Sequence, residues 1–158
     1  MMTTLEALFN EPERHYLRPQ ELERLGEYIN TLPERLELYR QLRDQEIALM
    51  QPVADALEKQ LPQESMETVK QGIKQSVLVL RYCAMAMLLD DPTLVELRLR
   101  GWLPLMIKIH HTQAVDRVLY SLLNNRLTEV FTDQQIRLIS PPLQMVQNLF
   151  YCEEIGVG

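Results

Sequence analysis

The sequence predicts an all-α protein built as one domain. Apolar side chains recur every three to four residues along most of the 158-residue chain, which is the period of helices with one buried face. The chain contains 28 leucines and only 5 glycines, and no run of alternating apolar and polar residues indicates a strand. Hydrophobic residues make up 46% of the chain, which is enough to bury a core, and the length fits a single domain.

Proline positions divide the first part of the helical pattern. Two short helices are predicted over residues 3–10 and 20–29. Pro33 is expected to interrupt or kink the pattern that follows, because a proline inside a helix lacks the N–H of one hydrogen bond. The apolar period then continues over residues 34–60, where a second proline predicts two helices or a kink near Gln51.

The middle of the chain holds the most apolar segment. Ser65 is predicted to cap a helix that ends near Leu89. Its apolar stretch, Val77–Leu89, spans 13 residues and includes one arginine, whereas a membrane span needs about 20 apolar residues. We therefore predict a buried core helix here, followed by a turn and a helix over residues 94–109 that Pro104 kinks.

The last part of the chain repeats the helical period. One helix is predicted over residues 112–127, a short segment begins at Thr132, and a final helix begins at Pro141 and continues through Phe150. The uneven helix lengths and short breaks favour globin-type packing over a regular four-helix bundle.

Charge and composition exclude several classes of function. The net charge is −6, and the chain has no basic stripe. Both observations argue against a nucleic-acid binder and against a protein that adheres to an anionic membrane. No signal peptide is visible, and two distant cysteines do not form a disulfide framework, so we expect a soluble intracellular protein with reduced thiols.

Few residues carry chemistry, and none of them form an enzyme motif. The sequence has no phosphate-binding glycine loop and no metal-binding motif. His110 and His111 are adjacent, so they cannot both point from one helix face to a metal ion. Cys83 is expected to be a buried apolar residue rather than a nucleophile. We therefore predict no catalytic site and no metal site.

Several motifs resemble those of phycobiliprotein subunits, most closely the phycocyanin β-subunit. The resemblance extends over most of the chain, to about Phe150, and the chain length is also typical of that family. No single motif carries it, but their joint order and spacing are specific. The matching motifs are Arg14-His15-Tyr16-Leu17 with Glu21-Leu22, then Ala54-Asp55-Ala56-Leu57, Leu80-Arg81-Tyr82 with Ala86, and Leu89-Asp90-Asp91.

The resemblance implies a globin-like fold of the phycocyanin type with two extra N-terminal helices. In the family those helices pack against a partner subunit, so residues of about 1–30 are expected to form a dimerisation region and residues of about 34–150 the core of a single domain. The matching positions suggest an interface that contains Glu11, Tyr16, Leu17 and Arg81. Glu11 and Arg81 are expected to form an ion pair across the interface, with Glu11 replacing the family's aspartate.

The same resemblance implies that the pigment site has degenerated. The bilin-attaching cysteine of the family corresponds to Gly72, and the residues that hold the bilin propionates and pyrrole nitrogens correspond to Lys74 and Gln75. Gly72 has no thiol for a thioether, and Gln75 has no carboxylate. The loop between Pro62 and Gly72 is also shorter than in phycocyanin. We therefore expect no covalently bound bilin.

These observations lead to one main hypothesis and one alternative. The first is a non-enzymatic interaction or assembly protein that binds phycobilisome or photosystem subunits at the cytoplasmic face of the cyanobacterial thylakoid, as a homo- or heterodimer. The alternative is a protein that binds or carries a tetrapyrrole non-covalently, such as a bilin, a chlorophyll precursor or haem. There, Lys74 would meet a propionate and His110 or His111 would ligate the metal.

Overall fold

Seven α-helices follow one another in the computed structural model, which describes residues 16–151. They are α1 (Pro19–Asp44), α2 (Glu46–Gln60), α3 (Met66–Leu88), α4 (Thr93–Leu99), α5 (Leu103–His110), α6 (Gln113–Val130) and α7 (Asp133–Val146), and a π-helical turn, Gln147–Tyr151, follows. No strand is present within residues 16–151. The all-α, globin-like prediction is therefore confirmed. The helix predicted over residues 3–10 lies outside the described residues.

Helix α3 is the centre of the core and contacts all six other α-helices. Because the predicted apolar run falls on this helix, its side chains are buried on several faces at once, including Val79, Cys83 and Met87. Helix α2 packs along α6, and α7 packs along α3 on the other side. The predicted buried helix is thus confirmed, and it holds the surrounding helices in place.

Two helix starts follow the expected capping chemistry. The Ser65 side chain accepts a hydrogen bond from the backbone N–H of Thr68 at 3.1 Å, which confirms the predicted cap of α3. At the start of α7, Thr132 and Gln135 form a reciprocal capping box. Each cap satisfies backbone donors that have no partner inside the helix.

Prolines end fewer helices than the sequence predicts. Pro33 lies inside the unbroken α1, and the break expected near Gln51 occurs instead at Gln45. Likewise, Pro141 lies inside α7 and does not begin a helix. All but one of the internal prolines, Pro142, are exposed to solvent, and each of them removes one backbone hydrogen bond from its helix. The apolar period on both sides of each proline then outweighs that loss.

At Pro104 the structure has a helix break that the sequence does not predict. The predicted single kinked helix is in fact two helices, α4 and α5, because Pro104 lies in the first turn of α5. A proline is tolerated in the first turn since its missing N–H would have no helical partner there. Helix α5 ends at His110, and the following residue, His111, adopts a left-handed conformation with φ of 53°.

The middle of α1 is fixed to the carboxyl end of α3. The Tyr28 hydroxyl donates to the carbonyl of Leu88 at 3.0 Å, and the buried Arg35 donates to the carbonyl of Met87. Arg35 also lies 3.3 Å from a carboxylate oxygen of Asp90. Positive charge at a helix C-terminus offsets the partial negative charge of the last carbonyls. These bonds set the direction in which the first turns of α1 extend.

Candidate functional site

An apolar stripe runs along the outer side of α1. Its members follow alternating steps of three and four residues, the spacing of a helix seam that packs against another helix. Leu22 and Ile29 are each 53% exposed and Leu36 is 37% exposed, although the face of α1 toward the core lies elsewhere, at Arg35, Leu38 and Leu42. We call this set the α1 stripe: Leu22, Leu25, Ile29, Leu32, Leu36 and Tyr39.

Arg81 lies on the exposed side of α3, beside the start of α2. Its guanidinium forms a bidentate ion pair with Glu46, with Nε–Oε1 at 2.8 Å and Nη2–Oε2 at 2.9 Å. Hydrogen bonding from Arg81 lowers the pKa of the Glu46 carboxyl below its ordinary value, and the pKa of Arg81 is raised in turn. The two parallel hydrogen bonds hold the planar guanidinium in one orientation at the surface.

A groove of about 300 Å³ lies beside this ion pair. It joins the α1 stripe, because Tyr39 belongs to both surfaces. We call the stripe and the groove together the docking face. Apart from Glu46 and Arg81, the residues that line the groove are Tyr39, Leu42, Arg43, Leu80, Ala84 and Met85.

The predicted interface residues divide between this face and the start of the chain. Arg81 lies on the docking face, Tyr16 is 98% exposed and Leu17 is half-buried just before α1. Glu11 lies outside the described residues, so its predicted pairing with Arg81 stays a prediction. Glu46, with which Arg81 pairs within residues 16–151, was not among the predicted interface residues.

Gly72 is buried at the contact between α3 and α6. A Cβ atom built at this position would lie 2.6 Å from Cγ1 of Val115. Carbon atoms in ordinary contact are about 3.5–4.0 Å apart. Position 72 therefore has no room for any side chain unless the helices separate.

Gln75 belongs to a buried chain of hydrogen bonds. Its amide accepts from Gln71 and donates to the Thr112 hydroxyl, both at 3.1 Å, and Thr112 donates to a carboxylate oxygen of Asp116 at 2.8 Å. Gln75, Thr112 and Asp116 are all buried. Thr112 and Asp116 lie one helical turn apart on an otherwise apolar face, and this spacing is a signal from which the hydrogen bond could have been predicted. The side chain of Gln75 is thus committed to joining α3 and α6.

Lys74 and His110 lie in one open groove. This groove has a volume of about 470 Å³ and also contains Lys70 and Ile109. His111 is exposed, and it is not among the residues that line the groove. The structure therefore brings together two of the residues that the alternative tetrapyrrole hypothesis requires.

Cys83 is fully buried in the core, and burial raises the pKa of its thiol well above the ordinary range. A thiol that stays protonated and inaccessible is a poor nucleophile.

Within residues 16–151, no group of histidine, cysteine and acidic side chains is arranged to hold a metal ion. None of the helices in the same range is both long and apolar enough to cross a bilayer.

Comparison with known proteins identifies a family. A family model described as "Phycobilisome protein" matches residues 10–149, which is most of the chain. A search of curated proteins found no match.

Proposed function

The chain belongs to the phycobilisome protein family, and from this membership we propose that it is a non-enzymatic interaction or assembly protein without covalently bound bilin. The family indicates a role related to light harvesting, and its members are structural pigment proteins rather than enzymes. The finer proposal concerns what this member does within that role. The observation that carries it is the exposed docking face.

The docking face has the composition of a binding surface. Large apolar side chains that are exposed at intervals along one helix face, with an arginine beside them, are typical of protein interfaces. Leu22, Ile29 and Leu36 supply apolar area, and Arg81 supplies a planar cation for a carboxylate. We expect the partner to be a phycobilisome or photosystem subunit at the cytoplasmic face of the thylakoid.

The proposed contact of Arg81 is an exchange of partners. In the free chain the guanidinium is paired with Glu46. An acidic residue from a docked N-terminal segment, such as Glu11 of the partner, would compete for the same guanidinium. Because the Arg81 side chain is 59% exposed, water can solvate the guanidinium while it changes partners, so the exchange requires little energy. Arg81 is therefore expected to contribute to specificity more than to affinity.

The absence of covalent pigment is supported by the geometry of position 72. Gly72 has no thiol, and its contact with Val115 leaves no space for one. Gln75, at the position of a pigment-binding carboxylate, is already hydrogen-bonded to Thr112. Both features favour a protein whose binding surface is retained while its attachment site is filled by packing.

The test is a pull-down from a thylakoid extract, with an absorbance spectrum of the eluate. We expect the wild-type chain to retain phycobilisome or photosystem subunits, and Ile29→Asp to lose them because a charge interrupts the stripe. Asn30→Asp is the matched control, since Asn30 is exposed on the same helix but outside the stripe. Retention by Ile29→Asp equal to that of Asn30→Asp would contradict the docking face. A strictly monomeric chain that retains no subunit would contradict the proposed function.

A second candidate function is non-covalent tetrapyrrole binding, which is favoured by the groove that holds Lys74 and His110. Lysine can pair with a propionate, and histidine can ligate iron or magnesium. Titration with biliverdin, phycocyanobilin and haem tests this by visible absorbance. We expect a red-shifted or Soret band that Lys74→Ala and His110→Ala weaken, with His111→Ala as the control. If no band forms at micromolar pigment, this candidate is excluded.

A further inference from the structure

We infer that Arg126 is a positioning residue for the docking face, because it ties the first turn of α2 to α6 and so holds Glu46 against Arg81. The role rests on the proposed function, since the ion pair of Glu46 and Arg81 belongs to that face. Three features support it. They are a carbonyl that lacks its helical donor, an arginine from another helix that bonds to this carbonyl, and the place of the carbonyl in the turn that contains Glu46.

The first turn of α2 lacks one helical hydrogen bond. In an α-helix each N–H donates to the carbonyl four residues earlier, so the regular donor for the carbonyl of Ala48 would be residue 52. Residue 52 is a proline, which has no N–H and whose ring crowds the carbonyl four residues before it. The Ala48 carbonyl therefore has no regular donor within its own helix.

Arg126 of α6 donates to this carbonyl from outside the helix. The distance from its Nη2 to the carbonyl oxygen of Ala48 is 3.1 Å. Its Nη1 lies 3.5 Å from a carboxylate oxygen of Glu129 on the same helix, and its Nε is buried without a hydrogen-bond partner among the described residues. The bond to Ala48 is thus the polar contact that links this guanidinium to another helix.

The bond from Arg126 matters for the position of the turn more than for solvation. Ala48 is exposed, so water can satisfy its carbonyl when the arginine is removed. A water molecule would leave the turn free to move. Arg126, in contrast, extends from a helix whose neighbouring residues Leu123 and Leu127 are buried in the core. Its rigid, planar guanidinium therefore holds the turn to a fixed support.

The same turn contains Glu46, two residues before Ala48. Glu46 accepts two hydrogen bonds from Arg81, at 2.8 and 2.9 Å, and such a bidentate pair requires the carboxylate to keep one place and orientation. Gln45, at the N-cap, makes no capping bond through its side chain, so the position of this turn depends on its core packing and on Arg126. If the turn moves, Arg81 no longer presents one orientation to a partner.

The titration of Glu46, followed by NMR at its side-chain carboxyl carbon, tests this role. Because Arg81 lowers the pKa of Glu46, loosening the pair brings that pKa back toward the ordinary value of 4.5. We expect Arg126→Met to raise the pKa in this way and to weaken the pair by about twofold, which is within the range of exposed ion pairs. Glu129→Gln is the matched control. It removes the contact of Arg126 within α6 but keeps the bond to Ala48, so the titration of Glu46 should not change.

Pro52→Ala separates positioning from other effects of Arg126. Alanine restores the N–H that donates to Ala48, so the turn no longer depends on the arginine. In this background Arg126→Met should leave the titration of Glu46 unchanged. An equal change in both backgrounds would mean that Arg126 acts through its charge or through general packing, and it would overturn the inference. An unchanged titration in the single variant would overturn it as well. If Arg126→Met does not fold, Arg126→Lys gives the same comparison with a smaller expected change.

The titration requires no partner, so the positioning role and the proposed function can fail separately. If Glu46 responds as expected but the wild-type chain retains no subunit from the thylakoid extract, Arg126 still positions the ion pair and the proposed function is wrong. If the chain retains subunits but Glu46 does not respond, the proposed function stands and the positioning role is wrong.

Discussion

Gly72→Ala tests whether the contact between α3 and α6 excludes a side chain at position 72. The added Cβ would lie 2.6 Å from Cγ1 of Val115, about 1 Å closer than an ordinary carbon contact. Val115 is fully buried, and its β-branched side chain has little freedom to rotate within a helix. The new methyl group is therefore accommodated only if the two helices move apart.

Two effects of opposite sign set the magnitude. Overpacking of this kind costs about 1–3 kcal/mol. Replacing a helical glycine with alanine stabilises the helix by about 1 kcal/mol. We expect Gly72→Ala to lower the free energy of unfolding by about 1 kcal/mol in the wild type. In a Val115→Ala background the nearest atom becomes the Cβ of residue 115 at 3.5 Å, so the same substitution should stabilise the protein by about 1 kcal/mol.

Urea unfolding of the four proteins gives the result as a double-mutant cycle. The expected coupling energy between positions 72 and 115 is about 2 kcal/mol. If Gly72→Ala stabilises both backgrounds equally, the contact does not exclude a side chain and the reasoning is wrong. If the coupling is found, Gly72→Cys should not restore covalent bilin attachment, because its thiol would meet the same obstacle.

Three further outcomes follow from other contacts. Arg35→Met should lower the free energy of unfolding by about 2 kcal/mol in urea titrations, because it removes the buried guanidinium that bonds to the end of α3 and leaves the acceptors there unpaired. Glu46→Gln should destabilise the protein at pH 7, since Arg81 lowers the pKa of the native carboxyl. That difference should shrink as the pH falls below the ordinary value of 4.5 and disappear below the lowered pKa, which pH-dependent unfolding measures. In a Cys152→Ser variant, Cys83 should not react with a thiol reagent at pH 8 until the protein is unfolded; reaction in the native state would contradict its burial.

The helical fold was more predictable from the sequence than the residues at which its helices begin and end. The apolar period identified the central helix α3 and its Ser65 cap because those signals depend on local spacing and on one side chain. Proline positions predicted the helix boundaries poorly, because the effect of a proline depends on whether it lies in the first turn of a helix or further inside. Pro33 is tolerated inside α1, whereas Pro104 lies in the first turn of α5. That distinction is set by tertiary packing, which a single sequence does not reveal.

The candidate site was predictable only as far as individual positions. The exposed Arg81 and the glycine at position 72 could be singled out from the resemblance, and the structure adds their surroundings. The pairing of Arg81 with Glu46 depends on the break at Gln45, which places the start of α2 beside α3. Likewise, Gly72 and Val115 are 43 residues apart in sequence, so their contact has no local signal.

The anchoring of α1 at Tyr28 and Arg35 has a consequence for the speed and cost of recognition. A segment that folds only on binding loses about 1–2 kcal/mol of backbone entropy for every residue it orders. Here α1 is one continuous helix whose middle is already bonded to α3, so the first turns extend from a fixed support. The stripe meets its partner in its final shape, and association is then limited by encounter and orientation instead of by folding. Such a surface suits a component that must exchange partners quickly while its own conformation stays constant.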